Sequence, residues 1–204
     1  MTTESEILAA LDTVRDPELD EPITALGFVS SVEIEGERVA VHLRLPTYFC
    51  APNFAWMMVA DAERAIAPIA RARVILDDHF ASAELATTSR FQDAFPGEAD
   101  AELDDLRELF LRKAFLARQH AAWEAYAPRT LADVPPGDPY LRRRAELGLD
   151  MSPDAPFLVT PSGAPVTDPE RHLRLARATR VSIEGNAGLC RGLLATRYRQ
   201  EVAA

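Results

Sequence analysis

Apolar and polar positions alternate most sharply over residues 39–45. Val39, Val41, Leu43 and Leu45 point one way, and Ala40, His42 and Arg44 the other. A period of two predicts a strand with one buried and one polar face. Just upstream, Val32 and Ile34 alternate with Glu33 and Glu35, and Glu35-Gly36-Glu37 supplies a turn, so the two runs predict a hairpin. Residues 3–15 change to helical spacing: Ile7, Leu8, Leu11 and Val14 follow Thr3-Glu4-Ser5-Glu6, a capping box. After the hairpin a helix is predicted over 53–69, capped by Asn53, with Phe54, Met58, Ala62, Ala65 and Ile69 as its inner stripe. Trp56, Met57 and Met58 read as packing residues. Residues 73–76 read as a third strand running into Asp77-Asp78-His79-Phe80. Helix, hairpin, helix and strand predict an α+β unit over residues 1–82, its helices covering one face of a small sheet.

Residues 83–204 predict a helical and irregular extension. A long helix is expected over about 98–126, with Leu103, Leu106, Phe110 and Ala117 on one stripe and Leu109, Leu116 and Trp123 beside it. Residues 128–169 hold nine of the fifteen prolines, which predicts extended and turning chain with at most a short hairpin over 157–166. C-terminal helices are expected over 168–200. One starts at Thr167-Asp168-Pro169-Glu170; a second starts near Asn186 and carries Leu189, Cys190, Leu193 and Leu194.

Composition narrows the function classes. With 204 residues and 48% hydrophobic content, the chain can bury one substantial core, or one core and a satellite. No apolar run approaches the roughly 20 residues of a membrane span. The polar, acidic N-terminus lacks the basic region of a secretory signal, and two distant cysteines do not form a disulfide framework. A cytoplasmic protein is expected. The net charge of −10 argues against nucleic-acid binding. The charge is uneven: acids crowd residues 77–108, whereas arginines dominate from Arg171 onward. These read as solvated faces, as regions that attract each other, or as a basic end that docks an acidic partner.

The candidate chemistry centres on Cys50, in Leu45-Pro46-Thr47-Tyr48-Phe49-Cys50-Ala51-Pro52, where the alternating strand ends and a helix begins. A thiol just before a helix meets oriented N–H groups that stabilise the thiolate, the form that binds soft metals. The competing reading is a small buried side chain. Cys190 is either a second ligand or core packing. His79 is either a metal ligand or an exposed strand-end side chain. His42, His120 and His172 read as solvated. There is no Gly-rich phosphate loop, no Cys-x-x-Cys and no serine–histidine motif, and no histidine lies near Cys50 in sequence, so catalysis is not expected.

Three features together resemble the iron–sulfur cluster assembly domain family (SufT- and PaaD-like, with the fold of the cytosolic iron–sulfur targeting factor). Asp16-Pro17-Glu18-Leu19 precedes Ile23 and Leu26-Gly27-Phe28-Val29; the strand over 39–45 runs into Thr47 and a loop cysteine; a helix and a strand follow. The family has Cys-Pro at this turn, whereas Cys50-Ala51-Pro52 moves the proline by one. The longer form resembles accessory proteins encoded beside soluble di-iron monooxygenases that oxidise propane or acetone. The resemblance implies a non-enzymatic maturation factor that transiently holds iron or an iron–sulfur cluster at Cys50 and assists its insertion into a client metalloenzyme. It places Asp16, Glu18 and Thr47 in the loops around the cysteine. One thiolate cannot hold a cluster, so a second sulfur would come from Cys190 or from a homodimer sharing Cys50. The alternative is a metal-free adaptor that binds an oxygenase client through the long helix and the basic end.

Overall fold

The computed structural model describes residues 2–85, 91–95 and 100–198. It is α+β, with a three-stranded sheet in the N-terminal half and helices dominating the rest. The chain divides into two compact units, residues 1–104 together with 186–204, and residues 105–185.

In the first unit, α1 (Glu4–Leu11) begins with the expected capping box: the Thr3 hydroxyl accepts from Glu6 N–H and the Glu6 carboxylate accepts from Thr3 N–H. It stops at Leu11, short of the expected residue 15, and Val14 is buried from the loop that follows. Strands β1 (Val29–Glu35) and β2 (Arg38–Arg44) form the hairpin, turning at Gly36 with a φ of +63°. Val39, Val41, Leu43 and Leu45 are all buried, as their alternation predicts. Helix α2 (Pro52–Ile66) then crosses to β3 (Arg71–Asp77), which lies parallel to β2, in the order β1-β2-β3.

Two details of α2 differ from the pattern. Pro52 is its first residue, so Ala51 occupies the cap position without a side-chain bond, and Asn53 instead accepts from the Phe54 N–H. Proline suits that position because its missing N–H is unneeded there. The buried stripe is Ala55, Met58, Val59, Ala62 and Ile66, while Ile69 lies beyond the helix and is exposed. These residues close over the sheet with Ile7, Leu11, Ile23, Leu26 and Phe28.

Helices α3 (Ser82–Leu85) and α4 (Phe91–Ala94) are short. Helix α5 runs Asp100–Tyr126; the expected start near 98 lies outside the described residues. Leu103 and Ala117 are buried as expected, but Leu109 is exposed, and the deepest residues are Phe115 and Gln119, which the stripe reading missed.

The second unit builds its own core from Phe115, Ala122, Leu131, Val134, Tyr140 and Phe157. The proline-rich stretch contains helix α6 (Pro139–Glu146), started by Asp138 accepting from Tyr140 N–H. It also holds the expected tight hairpin, Thr160 N–H donating to Ala164 O. Arg144, 1% exposed, donates to the carbonyls of Asp150 and Pro156 and to the Tyr140 hydroxyl. Gln119 donates to the carbonyls of Phe157 and Val159 and accepts from His172. His120 is buried and His172 half-buried, so neither is the solvated side chain expected; burial holds both below the usual histidine range.

The two expected C-terminal helices are one, α7 (Pro169–Arg197), continuous through Gly185. An interior glycine costs about 1 kcal/mol relative to alanine, which a helix held by packing absorbs. The unit boundary nonetheless falls between Gly185 and Asn186. Residues 199–200 of the expected span lie outside the described residues.

Replacing Arg144 by Met removes the donor that several buried carbonyls share. Arg144→Met is expected to destabilise the second unit by about 3 kcal/mol, the scale of leaving buried acceptors unpaired. Hydrogen exchange should show protection lost over residues 105–185 and retained in the β-sheet.

Candidate functional site

Because β2 and β3 are parallel, their carboxyl ends lie side by side, and both chain segments leaving them belong to the site. The loop after β2 carries Thr47 and Cys50 between Pro46 and Pro52. The turn after β3 carries Asp78, whose φ of +50° is a left-handed conformation that aspartate tolerates better than most residues. That turn sends His79 back against the Cys50 loop.

His79 is 4% exposed, not the exposed strand-end side chain that was one expectation. Its Nδ1 accepts from Ala81 N–H at 3.2 Å, so Nε2 carries the proton and donates to Cys50 O at 2.7 Å. Burial is the main reason its pKa lies below the usual histidine value; the bond to Cys50 works the other way, and the charge of Arg197 adds to the lowering. Both ring nitrogens are thus engaged, and the ring acts on the backbone of Cys50 instead of its sulfur. Phe80 N–H donates to Tyr48 O at 3.2 Å and fastens the two segments a second time. Cys50 itself is half-buried, its Sγ 3.3 Å from the Thr47 hydroxyl.

Asp16 and Glu18 occupy the loop between α1 and β1. Asp16 is buried, and its Oδ1 accepts from the N–H groups of Glu18 and Leu19 at 2.9 and 2.8 Å. Burial outweighs these bonds and pushes the Asp16 carboxyl up to about 6. Glu18 accepts from Asn186 Nδ2 at 3.2 Å. Cys190, half-buried four residues further along α7, packs against the same core as Cys50. Burial, then the neighbouring charges of Asp16, Cys50 and Glu18, push its thiol up to about 11. Among the described residues, no three His, Cys, Asp or Glu side chains are placed to hold a metal ion together.

Three features of the site were not read from the sequence. Tyr48, Phe49 and Phe80 form an exposed aromatic rim beside Cys50, with centroids 4.9–6.3 Å apart and Phe49 75% exposed. Their adjacency to Cys50 and His79 along the chain is the signal that would have found them. Arg197 donates to Leu45 O at 3.1 Å and pairs with Asp78, tying the end of α7 to both segments. His42, expected to be solvated, is half-buried and lies 3.0 Å from Asp77. The arginines of α7 mostly pair with the chain's own acids, Arg180 with Glu124, Arg191 with Glu21 and Arg197 with Asp78; only Asp78 belongs to the acidic stretch 77–108.

Two measurements test this geometry. Asp16 titrates higher folded than unfolded, so its contribution to stability is full below pH about 4 and is lost as pH rises through about 6. Asp16→Asn keeps an oxygen acceptor for both N–H groups. Relative to wild type it is expected to gain stability from about pH 4 upward, by as much as about 3 kcal/mol above pH 7, read from urea unfolding between pH 4 and 8. An unchanged difference across that range would contradict the buried carboxyl. His79→Leu removes the anchor on Cys50 O, and amide exchange across residues 47–51 should rise by roughly tenfold, the scale of one buried hydrogen bond.

No curated protein and no solved structure matches this chain. Residues 4–75, from α1 to β3 and including the Asp16–Glu18 loop and Cys50, match the family described as iron–sulfur cluster assembly protein.

Proposed function

We propose that this protein is a metallocentre maturation factor that assists insertion of iron or an iron–sulfur cluster into a client metalloenzyme. The cargo is its substrate, held transiently through the Cys50 sulfur. The observation that carries this reading is the place of Cys50 within the matched domain: a half-buried thiol on a loop whose backbone is held by His79, with an exposed aromatic rim beside it. Fixing the loop through a carbonyl leaves the sulfur free to exchange ligands while its position stays constant. His79, engaged at both nitrogens, is in this reading a positioning residue.

Loading forms an iron–sulfur(Cys50) bond as the thiol proton leaves, and hand-off reverses it when client ligands displace the sulfur. The family resemblance places Asp16 and Glu18 in a loop near Cys50, where their carboxylates would be suited to receive that proton or to lend an oxygen ligand to iron. A site with few protein ligands leaves coordination positions open for the client. The resemblance of the longer chain to accessory proteins of di-iron monooxygenases makes such an oxygenase the first client to test, in the cytoplasm, with the assembly machinery or a second copy of the chain as further partners.

The aromatic rim favours one second reading, a metal-free adaptor that docks the client through Tyr48, Phe49 and Phe80, since contiguous exposed aromatics mark contact surfaces. The two readings separate in one experiment. The protein is purified anaerobically, reconstituted with iron and sulfide, and assayed for bound iron, labile sulfide and visible absorption. Cys50→Ser is expected to abolish cluster absorption and client metallation while leaving the circular dichroism spectrum unchanged. If metallation survives Cys50→Ser and fails in Phe49→Ser, the adaptor reading replaces the carrier.

A further inference from the structure

Residues 186–197 of α7 lie on the first unit along a single face. Asn186 donates to Glu18, Arg191 pairs with Glu21 at 2.5 Å, Leu194 stands 3.4 Å from where a Cβ on Gly27 would lie, and Arg197 donates to Leu45 O. Ala187 is fully buried in the core, and Cys190 and Leu194 pack against it, whereas Leu189 and Leu193 are exposed. Positions 186, 187, 190, 194 and 197 thus follow the spacing of one inward stripe.

That stripe runs from the Asp16–Glu18 loop to the segments that leave β2 and β3. At its start Asn186 holds the Asp16–Glu18 loop. At its end Arg197 holds Leu45, where the Cys50 loop begins, and Asp78, the neighbour of the histidine bonded to Cys50. Cys190 lies between these anchors, one turn past Asn186. Cys190 and Cys50 both pack against the same core cluster of the first unit.

We propose that Cys190 is the second sulfur donor of the Cys50 site, so that one thiol from the loop after β2 and one from α7 bind a single thiophilic divalent cation such as iron(II). This rests on the reading of Cys50 as the cargo-binding sulfur and extends it to a residue outside the matched domain. Binding is an exchange without redox change: two metal–sulfur bonds form, and both thiol protons leave to solvent. The remaining coordination positions are left for water, sulfide or a ligand of the client, in keeping with the absence of a third convergent donor among the described residues. The extension then completes the chemistry of the domain it follows.

The full chain, reduced and freed of reductant under argon, is treated with dibromobimane, which fluoresces strongly only after bridging two thiols. A fluorescent monomer is expected for the wild type, with the signal lost in both Cys50→Ser and Cys190→Ser. In parallel, cobalt(II) is titrated into the same proteins. A thiolate-to-cobalt charge-transfer band saturating at one equivalent is expected in the wild type and is expected to be lost in each single variant. Failure of bimane to bridge two thiols that each react with iodoacetamide overturns the pairing, as does fluorescence confined to a covalent dimer. A cobalt band lost in Cys50→Ser but intact in Cys190→Ser overturns the role of Cys190 and leaves the Cys50 reading standing. A band unchanged in both variants removes both. Should Cys190→Ser fail to fold by circular dichroism, the wild-type bimane result decides alone.

Discussion

The parallel pairing of β2 with β3 is the constraint from which the rest of the first unit follows. Antiparallel neighbours need only a two-residue turn, but a parallel neighbour requires the chain to leave the strand, cross the sheet and re-enter from the same end. Helix α2 makes that crossing, and its buried stripe of Ala55, Met58, Ala62 and Ile66 closes the core over β2. The crossing also dictates a strand-to-helix loop at the carboxyl end of β2, where Cys50 sits. The carboxyl end of β3 must then lie beside it, which brings His79 to the Cys50 carbonyl across 29 residues of sequence. Open sheets with such crossovers expose loops rather than hydrogen-bonded backbone at these ends, and functional groups collect there.

Burial sets the chemistry of both units in opposite ways. In the second unit the guanidinium of Arg144 is nearly inaccessible and is satisfied by carbonyl oxygens and a tyrosine hydroxyl. Arginine's fixed fork of donors lets it reach several acceptors at once, which is why it serves as a structural staple in a region too rich in proline for regular strands. In the first unit burial acts on groups that can change protonation. It pushes Asp16 up to about 6 and Cys190 up to about 11. Both shifts favour the neutral form, so burial makes the carboxylate of Asp16 and the thiolate of Cys190 harder to form, whereas Arg144 keeps its charge.

The hairpin, the α2 crossing and the Cys50 turn were legible because each is written in local alternation, spacing or proline placement. Val39 to Leu45 are buried as a strict period of two requires. What was not legible depends on contacts between distant segments. His79 and His120 sit among acids and arginines in sequence, yet are buried by elements arriving from elsewhere. The stripe of α5 was legible at Leu103 and Ala117 but not at Phe115 and Gln119, which meet residues of the proline-rich stretch, whose helix α6 left only a weak signal in Pro-Tyr-Leu-Arg-Arg-Arg. Near Asn186 a break in pattern was read as a break in helix. The change there is in what the helix packs against, not in the helix.

A resident metal centre and a delivery site face opposite demands. Structural sites close four protein ligands around the ion and gain on the order of 10 kcal/mol or more of binding free energy, which makes release slow. A carrier must hold its cargo against solvent yet yield to a client with more ligands, so its donors should be few and its position well defined. Here the positional part is strongly built: Cys50 is fixed through its carbonyl by a buried histidine, through Tyr48 by Phe80 N–H, and through Leu45 by Arg197. The donor set is sparse by comparison, since among the described residues no three candidate ligands converge. The aromatic rim adjoins Cys50; under the proposed carrier role, a client that covered the rings would supply the missing ligands in the same encounter. A backbone held at Cys50 and a sulfur left without other ligands are therefore compatible with one another, and the proposed transfer would need both.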